Sequence, residues 1–182
     1  LGGLSDLMQG RLRFVGDPRQ RINEDALRML RFCRFLPLFS NDGIDADAAA
    51  AISEKADSAK GLSGERIAQE CRRLFAAKDP TLGVKFMHVS GLANAALGSD
   101  LQPERLAMLP SSDEILNVAP TMEGGVWIMR LAAVLPQDKL KSVAGRLKLS
   151  RADRRTISGL QELPGNIDPA ELAGEAWWRP VW

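Results

Sequence analysis

The sequence predicts an all-α, multi-helix protein entered through an extended N-terminal connector. Three observations carry this. Apolar residues recur at helical spacing in one segment after another, capping residues stand at the starts of those segments, and no convincing strand pattern follows residue 16. Leu12-Arg13-Phe14-Val15 alternates briefly and reads as a strand end or connector, closed by the turn Gly16-Asp17-Pro18. Asn23 is expected to cap the first long helix, with Glu24 and Asp25 in its first turn, where acids suit the helix dipole. Residues 26–36 contain neither Gly nor Pro, and Pro37 is expected to end them. On a wheel of about 100° per residue, Ala26, Met29, Leu30, Phe32, Cys33 and Leu36 share one arc. Glu24 and Arg31 face away from it, and Arg28 and Arg34 lie at its borders. Asp25 falls inside the apolar arc, where a carboxylate needs a partner.

The later elements follow in order. Asp45 or Asp47 caps a helix over 48–59, and Ser63 starts another that runs through Ile67 to Phe75. Ser63 to Arg66 is not a capping box, because Arg66 stands where Glu or Gln is required. Pro80 opens a short helix that ends near His88 and is closed by Gly91. Residues 103–109 and 112–118 read as helical turns around Pro110. Helices are expected over 126–135, stopped by Pro136, then over 137–147, 150–162 and 169–177. The composition changes near 78–82, at Asp79-Pro80. The expected organisation is a connector over 1–22, a helical unit over 23–80 and a second over 81–182.

Length and composition narrow the class. With 182 residues, 45% hydrophobic and 26% charged, the chain can bury a real core and is neither collagen-like nor disordered. No apolar run approaches the ~18 residues a membrane span needs. Two cysteines and one histidine supply neither a disulfide scaffold nor a usual zinc site, so a reducing cytoplasm is the expected location. The opening Leu1-Gly2-Gly3 lacks a methionine, and the chain is expected to be a fragment. The net charge is only +1, but it is unevenly spread. Residues 1–35 hold seven arginines against four acids, 41–57 are acidic, and 139–155 hold seven bases against Asp153 alone. Solvated helix faces are the simpler account of charge alone. Two basic clusters also suit a polyanion that touches two places.

Asp25 and Arg28 stand three apart, a spacing that sets two side chains on one helix face. Together they offer an acceptor beside a fork of donors. Cytosine and adenine each present an exocyclic amine next to a ring-nitrogen acceptor. A carboxylate can accept from the amine while a guanidinium donates to the ring nitrogen. Uracil and guanine reverse that order, and the mismatch costs about 1–3 kcal/mol per unpaired group. By itself the spacing equally describes an intrahelical ion pair worth about 0.3–0.5 kcal/mol.

The stretch from Gly10 to Phe32, centred on Glu24-Asp25-x-x-Arg28, closely resembles the neck of bacterial CCA-adding tRNA nucleotidyltransferases and the related bacterial poly(A) polymerases, the class II nucleotidyltransferases. Gly2-Gly3 and Asp6-Leu7 resemble the family's hinge motif, and Ser63-Gly64-Glu65-Arg66-Ile67-x-x-Glu70 resembles the motif that braces the template. Leu147-Lys148-Leu149-Ser150 is similar to the body region. Ala26 departs from the family's usual proline, a change well tolerated beside a helix start. The resemblance implies that 23–80 is the neck and 81–182 the body and tail, and that the connector is the end of the catalytic head. It implies that Asp25 and Arg28 read CTP or ATP. Glu65, Arg66 and Glu70 would support the template, with Glu70 reaching an arginine there. Asp6 with Arg11 or Arg13 would belong to the hinge. Glu24 would serve the helix N-terminus or orient an arginine, the first being preferred.

The resemblance also implies what the chain does not carry. The family's head holds a Gly-Ser phosphate motif and two metal-binding aspartates, where Mg2+ is expected in the parent protein. Neither motif occurs here in the right order, so no cofactor and no transfer activity are expected of the fragment alone. Asp45-Ala46-Asp47 spells D-x-D but reads as a helix cap. Lys139, Lys141, Arg146, Lys148, Arg151, Arg154 and Arg155 would hold tRNA phosphates. Trp127, Trp177, Trp178 and Trp182 read as core or interface anchors rather than stacking platforms, and His88, Cys33 and Cys71 as structural. Two rival readings stand beside this one: the C-terminal part of a poly(A) polymerase, which adds only A, and a non-catalytic helical RNA-binding module. The module predicts Asp25 and Arg28 closed on each other and facing no cavity. Both side chains lining an open cleft would favour the nucleotidyltransferase.

Overall fold

A computed structural model describes residues 3–39, 43–109 and 125–161. The helices expected over 112–118 and 169–177, and Trp177, Trp178 and Trp182, lie outside them. The regular elements among the described residues are helices and 3-10 turns, and residues 12–15 belong to none of them.

Two helices precede the one expected first. α1 (Gly3–Gln9) was not anticipated. α2 (Pro18–Glu24) begins where a turn was expected: Asp17 caps it by accepting from the Gln20 amide at 2.7 Å, and Pro18 occupies a first-turn position that has no use for an N–H. α3 (Leu27–Phe39) therefore starts after a break, and Asn23 is not its cap. Asp25 takes an extended backbone (φ −155°, ψ 105°), ends α2, and accepts the Leu27 amide at 3.1 Å through its own side chain. The position of the break follows from which residue leaves the helical region, a matter of two positions in the row of three polar residues Asn23-Glu24-Asp25. The buried face of α3 contains Met29, Leu30, Phe32, Cys33 and Leu36, with Leu27 added.

Pro37 lies inside α3 and does not stop it. Proline leaves the carbonyl four residues back, that of Cys33, without its helical donor. Gly83 packs so closely there that a Cβ would strike the Cys33 carbonyl oxygen and the Leu74 side chain. A side chain at position 83 would therefore push its own helix away from α3 at the proline.

α4 (Ala46–Lys55) is capped by Asp45, which accepts from Ala48 at 2.9 Å, and gives way to a 3-10 turn over Ala56–Gly61. α5 (Gly64–Phe75) is capped by Ser63 and buries Ile67, Cys71, Leu74 and Phe75. α6 (Thr81–Val89) packs on α3, and the unanticipated α7 (Leu92–Leu97) packs on the 3-10 turn. Gly91 joins them at φ 75°, a left-handed conformation natural to glycine. A further 3-10 turn covers Pro103–Met108.

α8 (Val126–Val134) is buried nearly all round, as expected of a helix apolar on every face. It packs on α5 and on the Pro103–Met108 turn. Its buried Arg130 donates to the carbonyls of Phe75 (3.0 Å), Ala77 (2.7 Å) and Lys78 (3.4 Å), so a cation closes the C-terminal end of α5. The helix expected over 137–147 is a 3-10 turn (Gln137–Lys139) followed by α9 (Leu140–Arg146). α10 (Arg151–Gln161) is capped by Ser150, which accepts from Asp153 at 3.1 Å. One apolar cluster runs from Ile22 to Ile157 and includes residues on both sides of position 80.

Candidate nucleotide-reading site and nucleic-acid surface

Asp25 and Arg28 do not lie side by side on one helix, because the chain is extended at Asp25. Nor do they close on each other. Arg28 Nη1 donates to Glu24 Oε2 at 2.5 Å and to the Arg21 carbonyl at 2.8 Å. The same Glu24 oxygen takes Arg21 Nη1 at 2.6 Å. Glu24 thus stands in the last turn of α2 and orients Arg28, which corrects its preferred assignment to a helix N-terminus. Arg66 Nη2, from α5, meets Asp25 Oδ1 at 3.1 Å and Oδ2 at 3.0 Å.

This arrangement leaves hydrogen-bonding capacity on both groups. Among the described residues the Arg28 guanidinium spends Nη1 alone, so Nε and Nη2 keep their N–H groups there. Asp25 accepts one amide and one guanidinium nitrogen and keeps lone pairs for a further donor. Both side chains are about a quarter exposed. Each is held by a neighbour while an edge stays open, which differs from the closed pair of a purely structural module.

α5 braces this corner at two levels. α3 and α5 run parallel: Arg66 meets Asp25 at their starts, and one turn on the buried Glu70 meets Arg31 (3.3 Å) and Arg34 (3.1 Å). Glu65 pairs with Lys148 at 2.7 Å, and this contact holds its carboxyl below its ordinary range. At the N-terminal end, Arg13 Nε contacts Asp6 Oδ2 at 2.8 Å, which raises the Arg13 pKa. The Arg11 amide donates to the Asp6 carbonyl at 2.8 Å. These contacts bring the three expected hinge residues together.

The basic segment divides by use. Arg146 Nη2 donates to the carbonyls of Lys60 (3.1 Å) and Leu62 (2.9 Å), and Arg154 Nε donates to that of Leu149 (3.0 Å). Those two side chains fasten the fold. Lys148 pairs with Glu65, and Lys139 lies 3.6 Å from Asp138. Lys141, Arg151 and Arg155 are exposed. A cleft of about 560 Å3 opens between α5, α8 and the α9–α10 corner, lined among others by Arg66, Gln69, Arg72, Trp127 and Lys148. Neither Asp25 nor Arg28 lines it, so of the two features that separate the nucleotidyltransferase from the module, the pair is not closed on itself but does not line this cleft. Trp127 is buried, with the Arg72 guanidinium 4.8 Å from its ring centre. Arg72 and this cleft were missed by sequence reasoning, because the cleft joins residues far apart in the chain.

Among the described residues no three His, Cys, Asp or Glu side chains converge to hold a metal ion. Asp45 is occupied as the cap of α4. Cys33 and Cys71 are buried free thiols, pushed up by burial, Cys71 to about 12. No described helix is long and apolar enough to cross a membrane.

Comparison with known proteins agrees with the motifs. The family described as "Probable RNA and SrmB- binding site of polymerase A" matches residues 43–106. The CCA-adding enzyme of Lactobacillus johnsonii is 30% identical over 159 residues, which is 87% of this chain and 39% of that protein. The mitochondrial CCA tRNA nucleotidyltransferase 1 of Mus musculus is 32% identical over 158 residues, 84% of this chain and 34% of that protein. A CCA-adding enzyme solved with ATP superposes with a TM-score of 0.62 over 88% of this chain and 40% of that one, at 18% identity. The Thermotoga maritima CCA-adding enzyme solved with tRNA gives 0.60 over the same shares, also at 18%. At that identity the likeness is one of fold. The chain spans well under half the length of each of these proteins. By its motifs, its helices and its relatives, the chain belongs to the CCA-adding and poly(A) polymerase-like family of class II nucleotidyltransferases.

Proposed function

We propose that this chain is the nucleotide-reading and tRNA-holding portion of a cytoplasmic enzyme that adds CMP and AMP, from CTP and ATP, to the 3′ end of tRNA. The observation that carries this reading is the corner between α2 and α3. There Asp25 and Arg28 are each gripped by a different neighbour, Arg66 and Glu24, and each keeps an open hydrogen-bonding edge. Asp25 accepts from the exocyclic amine of cytosine or adenine, and Arg28 donates to the adjacent ring nitrogen. Uracil and guanine present carbonyl and N–H in the reverse order, so both protein groups would be left unpaired. Relatives named as CCA-adding enzymes support the CCA reading over addition of A alone.

The exposed bases Lys139, Lys141, Arg151 and Arg155 supply phosphate contacts without base readout. The Asp6–Arg13 contact belongs to the hinge through which the neck meets the rest of the enzyme. The test uses the full-length protein, tRNA lacking its CCA end, and each ribonucleoside triphosphate in turn. Incorporation of C, C and then A is expected. Addition of a long A tract would identify a poly(A) polymerase, and no incorporation of any nucleotide would leave the RNA-binding module.

A further inference from the structure

α5 has a second working face. Glu70 turns toward α3, where it meets Arg31 and Arg34. Arg72 stands two residues on, about 200° round the helix, and lines the cleft between α5, α8 and the α9–α10 corner. Ala68, Trp127, Leu147 and Leu149 give this cleft apolar walls, and Arg66, Arg72 and Lys148 give it positive charge.

Arg72 is the fixed point of the cleft. Its guanidinium lies over the Trp127 ring, 4.8 Å from the ring centre, and that ring is buried beneath it. Arg72 Nη2 is 3.6 Å from Asp153 Oδ2, and the same carboxylate oxygen accepts the Ser150 hydroxyl at 2.7 Å. An indole below and a tethered carboxylate at the edge restrain a side chain that is otherwise rich in rotamers. The Arg72 side chain is nevertheless 55% exposed, so the guanidinium face turned from the indole meets solvent. Gln69 lies three residues earlier on the same side of α5 and is exposed, and its amide makes no hydrogen bond among the described residues.

A flat cation backed by an aromatic ring, with its other face open, is a platform for one nucleobase. Bases stack on guanidinium planes as they do on aromatic rings, and every base has a face to offer. A base inside a duplex has both faces covered, so the ligand is an unpaired nucleotide. Its phosphate needs a cation beside the platform. Lys148 lines the cleft, spends one of its three donors on Glu65, and is followed by the exposed Arg151.

We infer that Arg72 is the stacking platform for one unpaired nucleotide of the RNA strand, with Gln69 at the edge of the base and Lys148 at the phosphate. The site is separate from the base-reading corner on the other side of α5. It rests on the proposed function for RNA as the ligand and for nothing else.

The test measures binding of the full-length protein to a hairpin RNA with a single-stranded 3′ extension, with no nucleoside triphosphate present. Each unpaired position of the RNA is replaced in turn by an abasic residue. The series is repeated with Arg72→Lys, which keeps the charge and loses the plane. One position is expected at which loss of the base weakens wild-type binding about tenfold. Arg72→Lys is expected to bind the intact RNA about tenfold more weakly and to lose nothing further at that position. The slope of log affinity against log salt is expected to be the same for both proteins. A thermal melt checks the fold, and Gln69→Ala, which leaves the indole contact intact, carries the same cycle if lysine lowers the melting temperature. No sensitive position, or equal abasic penalties in wild type and variants, would overturn the site. So would tight binding of intact RNA by Arg72→Lys, which would reduce Arg72 to a phosphate contact. Addition of C, C and A without a coupled position would remove this site and leave the proposed function. A coupled position without nucleotide addition would do the reverse.

Discussion

Asp25 has two tasks that usually fall to different residues: it accepts the Leu27 amide at the turn between α2 and α3, and it takes the Arg66 guanidinium on both oxygens. The ion pair is partly exposed, Arg66 by about half, so its contribution to stability is small, under about 1 kcal/mol. Its contribution to orientation is larger. Arg66→Ala is therefore expected to lower stability by less than about 1 kcal/mol while cutting the C and A preference about tenfold, worth about 1.4 kcal/mol. Competition among the four triphosphates in single-turnover incorporation, set beside a urea melt, checks both parts. Glu65 gives a pH signature. Its folded-state carboxyl is held below the ordinary value of 4.5, chiefly by the Lys148 hydrogen bond. A depressed acid stabilises the fold at pH above 4.5, and that contribution is lost as pH falls through the lowered value. Urea midpoints of the wild type and Glu65→Gln are expected to differ at pH 7 and to converge as the pH falls below 4.5 through the lowered value.

At the scale of elements, the α9–α10 corner carries most of the unexpected geometry. Lys148 has φ 50°, the one non-glycine residue in the left-handed region among those described. It follows α9 in a Schellman arrangement: the Lys148 amide donates to Gly145 and the Leu149 amide to Ala144. A side chain there costs about 1 kcal/mol relative to glycine. Lys148→Gly is expected to be about 1 kcal/mol more stable than Lys148→Ala, as read by thermal or chemical melts, since both lose the Glu65 contact and only alanine keeps the strain. The same corner explains Gly64. A Cβ there would strike the Arg146 carbonyl oxygen, so the start of α5 rests directly on the end of α9. The break between α2 and α3 belongs to this scale too. A row of polar residues offers several caps, and Asp25 is selected because Arg66, 41 positions later in the chain, holds the same carboxylate.

For the whole molecule, Arg146 joins segments 86 and 84 positions apart by donating to the Lys60 and Leu62 carbonyls ahead of α5. Arg146→Ala is expected to cost about 2 kcal/mol, because charge-assisted bonds to backbone carbonyls are lost and the packing at Gly64 is loosened. An Arg151→Gln/Arg155→Gln variant is expected to leave stability within about 0.5 kcal/mol and to flatten the salt dependence of tRNA binding. Melting curves and affinities at several salt concentrations separate the two roles. Much of this molecule was legible in one dimension. Helical periodicity marked α3, α5, α8 and α10, and Asp45, Ser63 and Ser150 marked starts, because periodicity and capping are local properties of consecutive residues. The Asp25 and Arg28 proposed to read the base were legible as residue types at a spacing. Which acid grips which base was legible only in part: Glu70 was expected to reach an arginine, and Glu24 to orient one only as the less preferred alternative. Arg66 on Asp25, Arg31 and Arg34 on Glu70, and Arg146 on the Lys60 and Leu62 carbonyls are pairings across helix interfaces, whereas Glu24 on Arg28 is a local contact four residues apart. A charged side chain has many partners within reach of an unfolded chain, and only packing of the helices around one shared core leaves it with one.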